Sequence, residues 1–201
     1  MSRKIPRLVL ASGSPRRREL LLSMGIDVEI RPADVDESAL PGEQPEKHVL
    51  RLARDKSRSR VRHGELVLAA DTVVVIDEDI LGKPRDADEA REMLGRLAGR
   101  LHTVFTGVAL TDGDENRTLD RLARSEVEMT ALTAEEIAWY VATGEPMDKA
   151  GSYAIQGLGA LFVNSVSGNY TNVVGLPLPT TQSLFRGLGF DMRDFRRRED
   201  D

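Results

Sequence analysis

The sequence contains no cysteine among its 201 residues. A disulfide framework, thiolate zinc sites and thiol catalysis are therefore excluded. Histidine is scarce as well: His48, His63 and His102 are scattered singly, and no two have the spacing of metal ligands on one helix. Aromatic residues make up 4% of the chain, which is too few for a platform that stacks the bases of a single nucleic-acid strand.

The sequence also lacks an excess of positive charge and a long apolar run. Its 28 Lys and Arg are outnumbered by 33 Asp and Glu, for a net charge of −5, and this disfavours a nucleic-acid partner because phosphate backbones attract basic proteins. The apolar run at residues 8–11 is shorter than the roughly 7–15 residues of a signal peptide core. No stretch approaches the roughly 20 apolar residues of a membrane span. We predict a soluble cytoplasmic protein with no membrane partner.

The order of predicted elements indicates an α/β fold. A buried strand over residues 5–11 leads into a helix that Ser14 caps and Gly25 ends, and the most apolar run follows at residues 66–76. Residues 101–111 and 117–129 flank the turn cluster DGDEN and predict a long hairpin. Further helices are predicted to open at Pro45 and at two capping-box patterns, Asp86 with Glu89 and Thr133 with Glu136, and a further strand is predicted at about residues 161–166. No linker is long enough to separate domains, so we predict one domain over residues 1–190 and a charged tail over 191–201. Two lobes with a cleft are compatible with this pattern, but the pattern does not show them.

The segment LVLASGSPRRREL is the first that indicates chemistry. Ser12, Gly13 and Ser14 form a turn into a helix N-terminus, where free N–H groups and the helix dipole favour an anion. Arg16 and Arg17 then occupy the first turn, where a cation costs about 0.3–1 kcal/mol against the dipole. A polyanion such as a triphosphate bound in front explains this placement. The alternative is an ordinary helix start with a solvated basic face.

A single carboxylate interrupts the most apolar run of the chain. Because an unpaired buried carboxylate is costly, Asp71 should be paired, bound to a metal or placed at a cleft. The alternative is an aspartate that caps a strand end. Lys83 in the Gly-Lys-Pro sequence that follows is a weak candidate for a cation returning to the same site.

Two further segments offer a lysine and an acid. Lys56 continues an apolar helical stripe through Val49 and Ala53, so it either extends to solvent or reaches into a cleft. The loop over residues 32–44 carries Glu37 and neighbouring aspartates, and carboxylate oxygens of this kind bind Mg²⁺ together with water and substrate phosphates. The alternative is a solvated acidic loop.

The segment DKAGSYAIQGLGALFV combines a lysine, several glycines and a glutamine. Glycines allow a ligand to approach the backbone closely after Lys149, and the Gln156 amide offers one donor and one acceptor suited to a base edge. The alternative is a bulged turn. The sequence has no P-loop, dinucleotide fingerprint, HExxH or GxSxG motif.

Taken together, these segments resemble the Maf family of nucleotide pyrophosphatases. ASGSPRRREL, VDE, ARDK, AADTVVV, GKP, DKAGSYAIQGLG and VVGLPL occur in the family's order between about residues 5 and 188. The resemblance implies an elongated mixed β-sheet flanked by helices, with two lobes around a central cleft as in inosine triphosphatase-like proteins. It also implies a homodimer.

The implied activity is hydrolysis of a nucleoside triphosphate between its α- and β-phosphates, with Mg²⁺ or Mn²⁺ as cofactor and Asp71 as proton acceptor. The residues and the resemblance together predict a set of catalytic groups: Asp71, Lys83, Glu37 and Lys56. Asp71 and Glu37 are the expected metal ligands. The expected substrate-binding residues are Ser12, Gly13, Ser14, Arg16, Arg17, Thr72, Lys149 and Gln156.

The resemblance also implies a substrate class. A second branch of the family has Trp, Gln and Glu where this chain has Arg16, Thr72 and Gln156, and that branch prefers methylated GTP. This chain agrees at all three positions with the branch that is implied to take dTTP and UTP. Two rival hypotheses remain: a nucleotide-responsive regulator of septum formation that needs no catalysis, and an RNA-binding module that uses the basic residues as a backbone track.

Overall fold

The computed structural model describes residues 5–197 and divides into two compact units. Unit 1 comprises the chain up to Asp71, Thr106–Ala123 and the chain from Gly175 onwards; unit 2 comprises Thr72–Phe105 and Arg124–Val174. The predicted single domain over residues 1–190 stays a prediction. None of the helices within residues 5–197 is long and apolar enough to cross a membrane.

The fold is a mixed α/β structure, which confirms the predicted class. The strands of the described residues form one sheet in the order β2-β1-β3-β5-β6-β7, with β4 paired to β3. Pairing is parallel for β1 with β2 and with β3, and antiparallel for β3 with β4 and for β6 with β7. The strands are β1 (Arg7–Leu10), β2 (Glu29–Ile30), β3 (Glu65–Ile76), β4 (Asp79–Leu81), β5 (Leu101–Asp112), β6 (Arg117–Met129) and β7 (Val163–Ser167).

The first four of the six helices within the described residues begin where the local sequence predicts, whereas the short helix at Tyr170–Val174 is not predicted. Their bounds are α1 (Pro15–Ser23), α2 (Pro45–Ser59), α3 (Ala87–Leu97), α4 (Ala134–Ala142), α5 (Tyr170–Val174) and α6 (Leu178–Gly187). Thr133 and Glu136 form the predicted capping box of α4. The box predicted for α3 is only half right: Asp86 caps the helix, but the carboxylate of Glu89 accepts from the Arg85 amide instead of the Asp86 amide.

In unit 1, the core forms around β1, β3 and β5. Leu10, Leu68 and Leu110 are fully buried and pack with residues of α1 and α6. A glycine sets the distance between α2 and the sheet, because a Cβ on Gly107 would lie 2.3 Å from the carbonyl oxygen of Val49. The backbone of α2 therefore lies directly on β5.

In unit 2, the core includes residues of β3, β5 and β6 together with α3 and α4. The strand predicted at residues 161–166 is shifted: a short 3-10 helix occupies Leu158–Phe162, and β7 begins at Val163. The segment before it contains Gly151 and Gly157 at positive φ. Residues 151–154 of this glycine-rich passage are buried.

The predicted charged tail is folded as far as the structure describes it. Met192–Phe195 is a short 3-10 helix, Met192 is buried, and the ring of Phe195 packs edge-on against Phe185. The last residues of the predicted tail, 198–201, lie outside the described residues.

Candidate active site

The loop after β1 is closed by a serine hydroxyl. Ala11 continues the parallel pairing by donating its amide to Leu68, and the chain then turns through residues 12–14 into α1. The Ser14 amide donates to Oγ of Ser12 over 3.2 Å. Ser14 is the N-cap residue, as predicted, but its side chain makes no capping hydrogen bond. The turn thus holds Ser12 inward while Gly13 is exposed.

Arg17 is fixed against this loop. Its Nη1 donates to Oγ of Ser12 over 3.0 Å, and its Nε donates to the carbonyl of Gly175 over 2.8 Å. Burial lowers the pKa of Arg17 from its ordinary value, the charge of Asp71 opposes that shift, and the charge of Arg16 adds to it. α1 has no acidic residue in its first turn, which contains Arg16 and Arg17, and cations in a first turn face the positive end of the helix dipole.

Asp71 and Lys56 form a buried ion pair. Nζ of Lys56 donates to Oδ1 of Asp71 over 2.6 Å, and the two residues are 7% and 8% exposed. Asp71 lies in the interior of β3, so the alternative of a strand-end cap is wrong. The alternative that Lys56 extends to solvent is wrong as well. Because α2 packs closely on the sheet, the helix face that carries Val49, Ala53 and Lys56 points towards the sheet.

Glu37 approaches the same ammonium from the acidic loop. Its Oε1 lies 2.8 Å from Nζ of Lys56, and its side chain is exposed. One cation thus faces two carboxylates, one buried and one at the surface. The prediction that these three residues share a site agrees with this geometry, and their catalytic roles remain predictions.

Sequence reasoning missed the residue that anchors the acidic loop. Arg51 on α2 donates to the carbonyl of Ser38, next to Glu37, over 3.0 Å. It also forms a forked pair with Glu43, with both hydrogen bonds at 2.7 Å. The Arg51 guanidinium holds the pKa of Glu43 far below its ordinary value. The sequence hints at this contact only through an arginine five residues before Lys56 on the same helix, and it does not indicate which residues that arginine binds.

The carboxylates of Asp71 and Glu37 fit a divalent cation. Mg²⁺ and Mn²⁺ prefer oxygen ligands, and Mg²⁺ usually binds through one or two carboxylates plus water and substrate phosphates. Residues 5–197 contain no group of three or more His, Asp or Glu placed to hold a metal ion. Asp71 and Glu37 supply two carboxylates, within the number through which Mg²⁺ usually binds alongside substrate phosphates.

Unit 2 contains the other predicted site residues. Thr72 follows Asp71 on β3 and is half-buried, and Lys83 is exposed in the segment after β4. The Gly151 amide donates to the carbonyl of Gly82 over 3.0 Å, and a Cβ on Gly151 would lie 2.9 Å from the side chain of Val74. Unit 2 thus brings the Gly-Lys-Pro segment and the DKAGS segment together beside β3.

Lys149 and Gln156 lie in different local environments. Nζ of Lys149 lies 2.6 Å from both the carbonyl of Glu145 and Oδ1 of Asp148, so its ammonium stabilises the local fold. Gln156 is half-buried in a short loop. The substrate-binding roles of both residues, and of Arg16, Gly13 and Ser14, stay predictions.

The comparisons with known proteins agree on one family. Residues 7–188 match the Maf family, described as Maf-like protein. A dTTP/UTP pyrophosphatase of Anaeromyxobacter dehalogenans (strain 2CP-1 / ATCC BAA-258) is 55% identical over 189 residues, covering 93% of this chain and 96% of the relative. The dTTP/UTP pyrophosphatases of Symbiobacterium thermophilum and Myxococcus xanthus are each 51% identical, covering 91% and 92% of this chain and 94% of each relative.

Among solved structures, the chain is similar to the Staphylococcus aureus Ham1 protein, with a TM-score of 0.41 and 11% identity over 62% of this chain and 72% of that chain. That likeness is too weak to bear on the fold. The family match and the identities above extend over more than nine tenths of the sequence, and on them the chain belongs to the Maf family.

Proposed function

We propose that this chain is a nucleoside triphosphate pyrophosphatase that hydrolyses dTTP and UTP to the monophosphate and pyrophosphate. The observation that carries the proposal is the buried pair of Asp71 and Lys56, with Glu37 on the same ammonium. A buried carboxylate in the interior of a strand supplies a base that is shielded from bulk water. The names of the relatives, dTTP/UTP pyrophosphatase, supply the substrate class.

Unit 1 supplies the groups that bind the phosphates. Arg16 and Arg17 lie at the positive end of α1, where an anion satisfies both the helix dipole and the guanidinium groups. Arg17 is held rigid by Ser12 and Gly175, so it loses little conformational freedom on binding. Lys56 adds a third cation, which lies beside the carboxylate of Asp71.

Asp71 then accepts the proton of the attacking water. The water oxygen bonds to the α-phosphorus, the bond from that phosphorus to the bridging oxygen breaks, and its electron pair leaves with pyrophosphate. Lys56 holds Oδ1 of Asp71 in place, so the carboxylate is oriented before the substrate arrives. Fixed charges that face the developing negative charge lower the barrier without reorganising during the reaction.

A divalent cation, Mg²⁺ or Mn²⁺, is part of this proposal. Asp71 and Glu37 would hold it, and when bound it would neutralise charge on the phosphates. The Gln156 amide pairs with the N3–H donor and O4 acceptor of uracil or thymine. Lys83 contributes a further cation, and Thr72 and Lys149 line the substrate. A homodimer and a cytoplasmic location also stay proposals.

The test is a hydrolysis screen over canonical and modified triphosphates with Mg²⁺, in ¹⁸O-labelled water. We expect dTTP and UTP to be the best canonical substrates, to yield pyrophosphate and monophosphate in equal amounts, and to carry the label in the monophosphate. Release of inorganic phosphate as the first product, or no turnover of any triphosphate, would contradict the proposal.

A further inference from the structure

Two side chains of unit 2 hold the backbone on both sides of Gln156. Tyr140, fully buried near the end of α4, donates its hydroxyl to Oε1 of Glu145 over 2.8 Å. The same hydroxyl accepts from the Ala154 amide over 3.1 Å. The chain is therefore fixed two residues before Gln156.

The carboxylate of Glu145 fixes the chain on the other side. Its Oε2 accepts from the Leu158 amide over 3.0 Å, and its Oε1 accepts from the Gly159 amide over 2.9 Å. Burial raises the pKa of Glu145, but the hydrogen bonds from the Gly159 and Leu158 amides outweigh that effect and hold the pKa below its ordinary value. The carboxylate stays ionised, and it accepts three hydrogen bonds.

Two glycines allow the loop backbone to pack this closely against Tyr140 and Glu145. Gly157 has a φ of +83°, and a Cβ there would lie 2.5 Å from Oε2 of Glu145. A Cβ on Gly159 would lie 2.4 Å from the carbonyl of Ala154 and 2.5 Å from the hydroxyl of Tyr140. The loop backbone thus packs directly against the two side chains, with no intervening atoms. We refer to Tyr140 and Glu145 as the clamp.

We propose that the clamp is a pair of positioning residues that fixes Gln156 for base recognition and so sets the preference for pyrimidine nucleotides. The inference rests on the proposed function, in which the Gln156 amide reads the base. A hydrogen-bonding group discriminates between bases only while it is held in place, because a misplacement of about 1 Å removes most of the directional preference. The clamp holds the loop that carries Gln156, whereas the proposed function assigns phosphate binding to Arg16 and Arg17, so loosening the clamp should affect the base preference more than phosphate binding.

The first test is the Tyr140→Phe variant, which removes one hydroxyl and leaves the ring. Tyr153→Phe is the matched control, because Tyr153 is also buried in unit 2 and its hydroxyl lies 2.8 Å from Nε2 of His102. We expect the ratio of kcat/KM for dTTP over GTP to fall about tenfold in Tyr140→Phe, as one buried amide loses its acceptor. The control should keep the wild-type ratio.

The second test compares two replacements of Glu145 that remove different numbers of hydrogen-bond acceptors. Glu145→Gln keeps one acceptor oxygen for the amides, whereas Glu145→Ala keeps none. The dTTP to GTP ratio should therefore fall further in the alanine variant than in the glutamine variant. Hydrogen exchange, measured in the same proteins, should accelerate at the amides of Ala154, Leu158 and Gly159.

The outcomes separate the clamp from the proposed function. If the clamp variants slow dTTP and GTP hydrolysis by a common factor, so that the ratio stays at the Tyr153→Phe value, or if exchange at the three amides is unchanged, the clamp is overturned. If the wild-type protein hydrolyses neither dTTP nor UTP, the proposed function fails and the link to base preference falls with it. Amide exchange then still decides whether the clamp holds the loop.

Discussion

The ammonium of Lys56 lies 2.6 Å from Oδ1 of Asp71, and both side chains are buried. Two charges withdrawn from water depend on each other, because removing one leaves the other without compensation. This pair links the stability of unit 1 to its proposed chemistry.

Lys56→Met should therefore destabilise the protein, since it leaves the Asp71 carboxylate buried without its ammonium. We expect the free energy of unfolding at pH 7 to fall by about 3 kcal/mol, as for other broken buried pairs. Lys47→Met, on the exposed face of the same helix, should stay within about 0.5 kcal/mol of the wild type. Urea denaturation curves that do not distinguish the two variants would contradict this account.

Arg17→Ala should weaken triphosphate binding for every base alike, because phosphate carries no base identity. We expect kcat/KM for dTTP, UTP and GTP to fall by a common factor of at least about tenfold, as for the loss of a charge-assisted hydrogen bond. Arg18→Ala is the matched control, since Arg18 is exposed on the same helix. A loss that depends strongly on the base would remove Arg17 from the phosphate site.

Gln156→Glu should shift the preference away from pyrimidines. A carboxylate only accepts hydrogen bonds, so it leaves O4 of thymine facing negative charge, whereas it matches the adjacent N1–H and N2–H₂ donors of guanine. We expect the dTTP to GTP ratio of kcat/KM to shift by about 1–3 kcal/mol, the cost of one unsatisfied buried group. Gln44→Glu, the same exchange at an exposed position, should leave the ratio unchanged. An unaltered ratio in Gln156→Glu would show that Gln156 does not read the base.

His102 should make the folded state sensitive to mild acid. It is buried and its Nε2 lies 2.8 Å from the hydroxyl of Tyr153, and burial lowers its pKa to about 4 from an ordinary 6.5. Between those values the unfolded chain binds the proton and the folded chain does not, so stability falls as the pH drops from about 6.5 to about 4.

The measurement for His102 is the free energy of unfolding as a function of pH. We expect the wild type to lose about 3 kcal/mol more than His102→Gln across that interval. The comparison with the variant removes the contribution of carboxylates such as Glu43, which titrate in both proteins. Parallel curves would mean that His102 titrates normally in the folded state.

The sequence predicted the elements that local chemistry specifies. Pro15 and Pro45 each open a helix at the predicted residue, and the capping box of Thr133 and Glu136 opens α4. Asp71 stood out because a carboxylate within a wholly apolar run needs compensation. The motifs also predicted the family, which the comparisons confirm.

The remaining contacts depend on distances that no local pattern contains. The close approach of α2 to the sheet requires the missing Cβ of Gly107, and this approach turns Lys56 inward instead of towards solvent. The attachment of the acidic loop by Arg51 and the Tyr140 contact with Ala154 likewise join residues from separate elements. The sequence predicts a charged tail from residue 191 onwards because charged residues outnumber apolar ones there, but Met192 and Phe195 pack into unit 1.

The most direct test of the central claim is pyrophosphate release from dTTP by the wild type and by Asp71→Asn, with Mg²⁺ present. The replacement keeps the size of the side chain and an oxygen acceptor for Lys56, but it removes the proposed proton acceptor and its negative charge. We predict that the wild type releases pyrophosphate and that turnover in Asp71→Asn falls by at least about 10²-fold, with the fold intact by circular dichroism. Near-normal turnover in a folded Asp71→Asn protein would contradict the account.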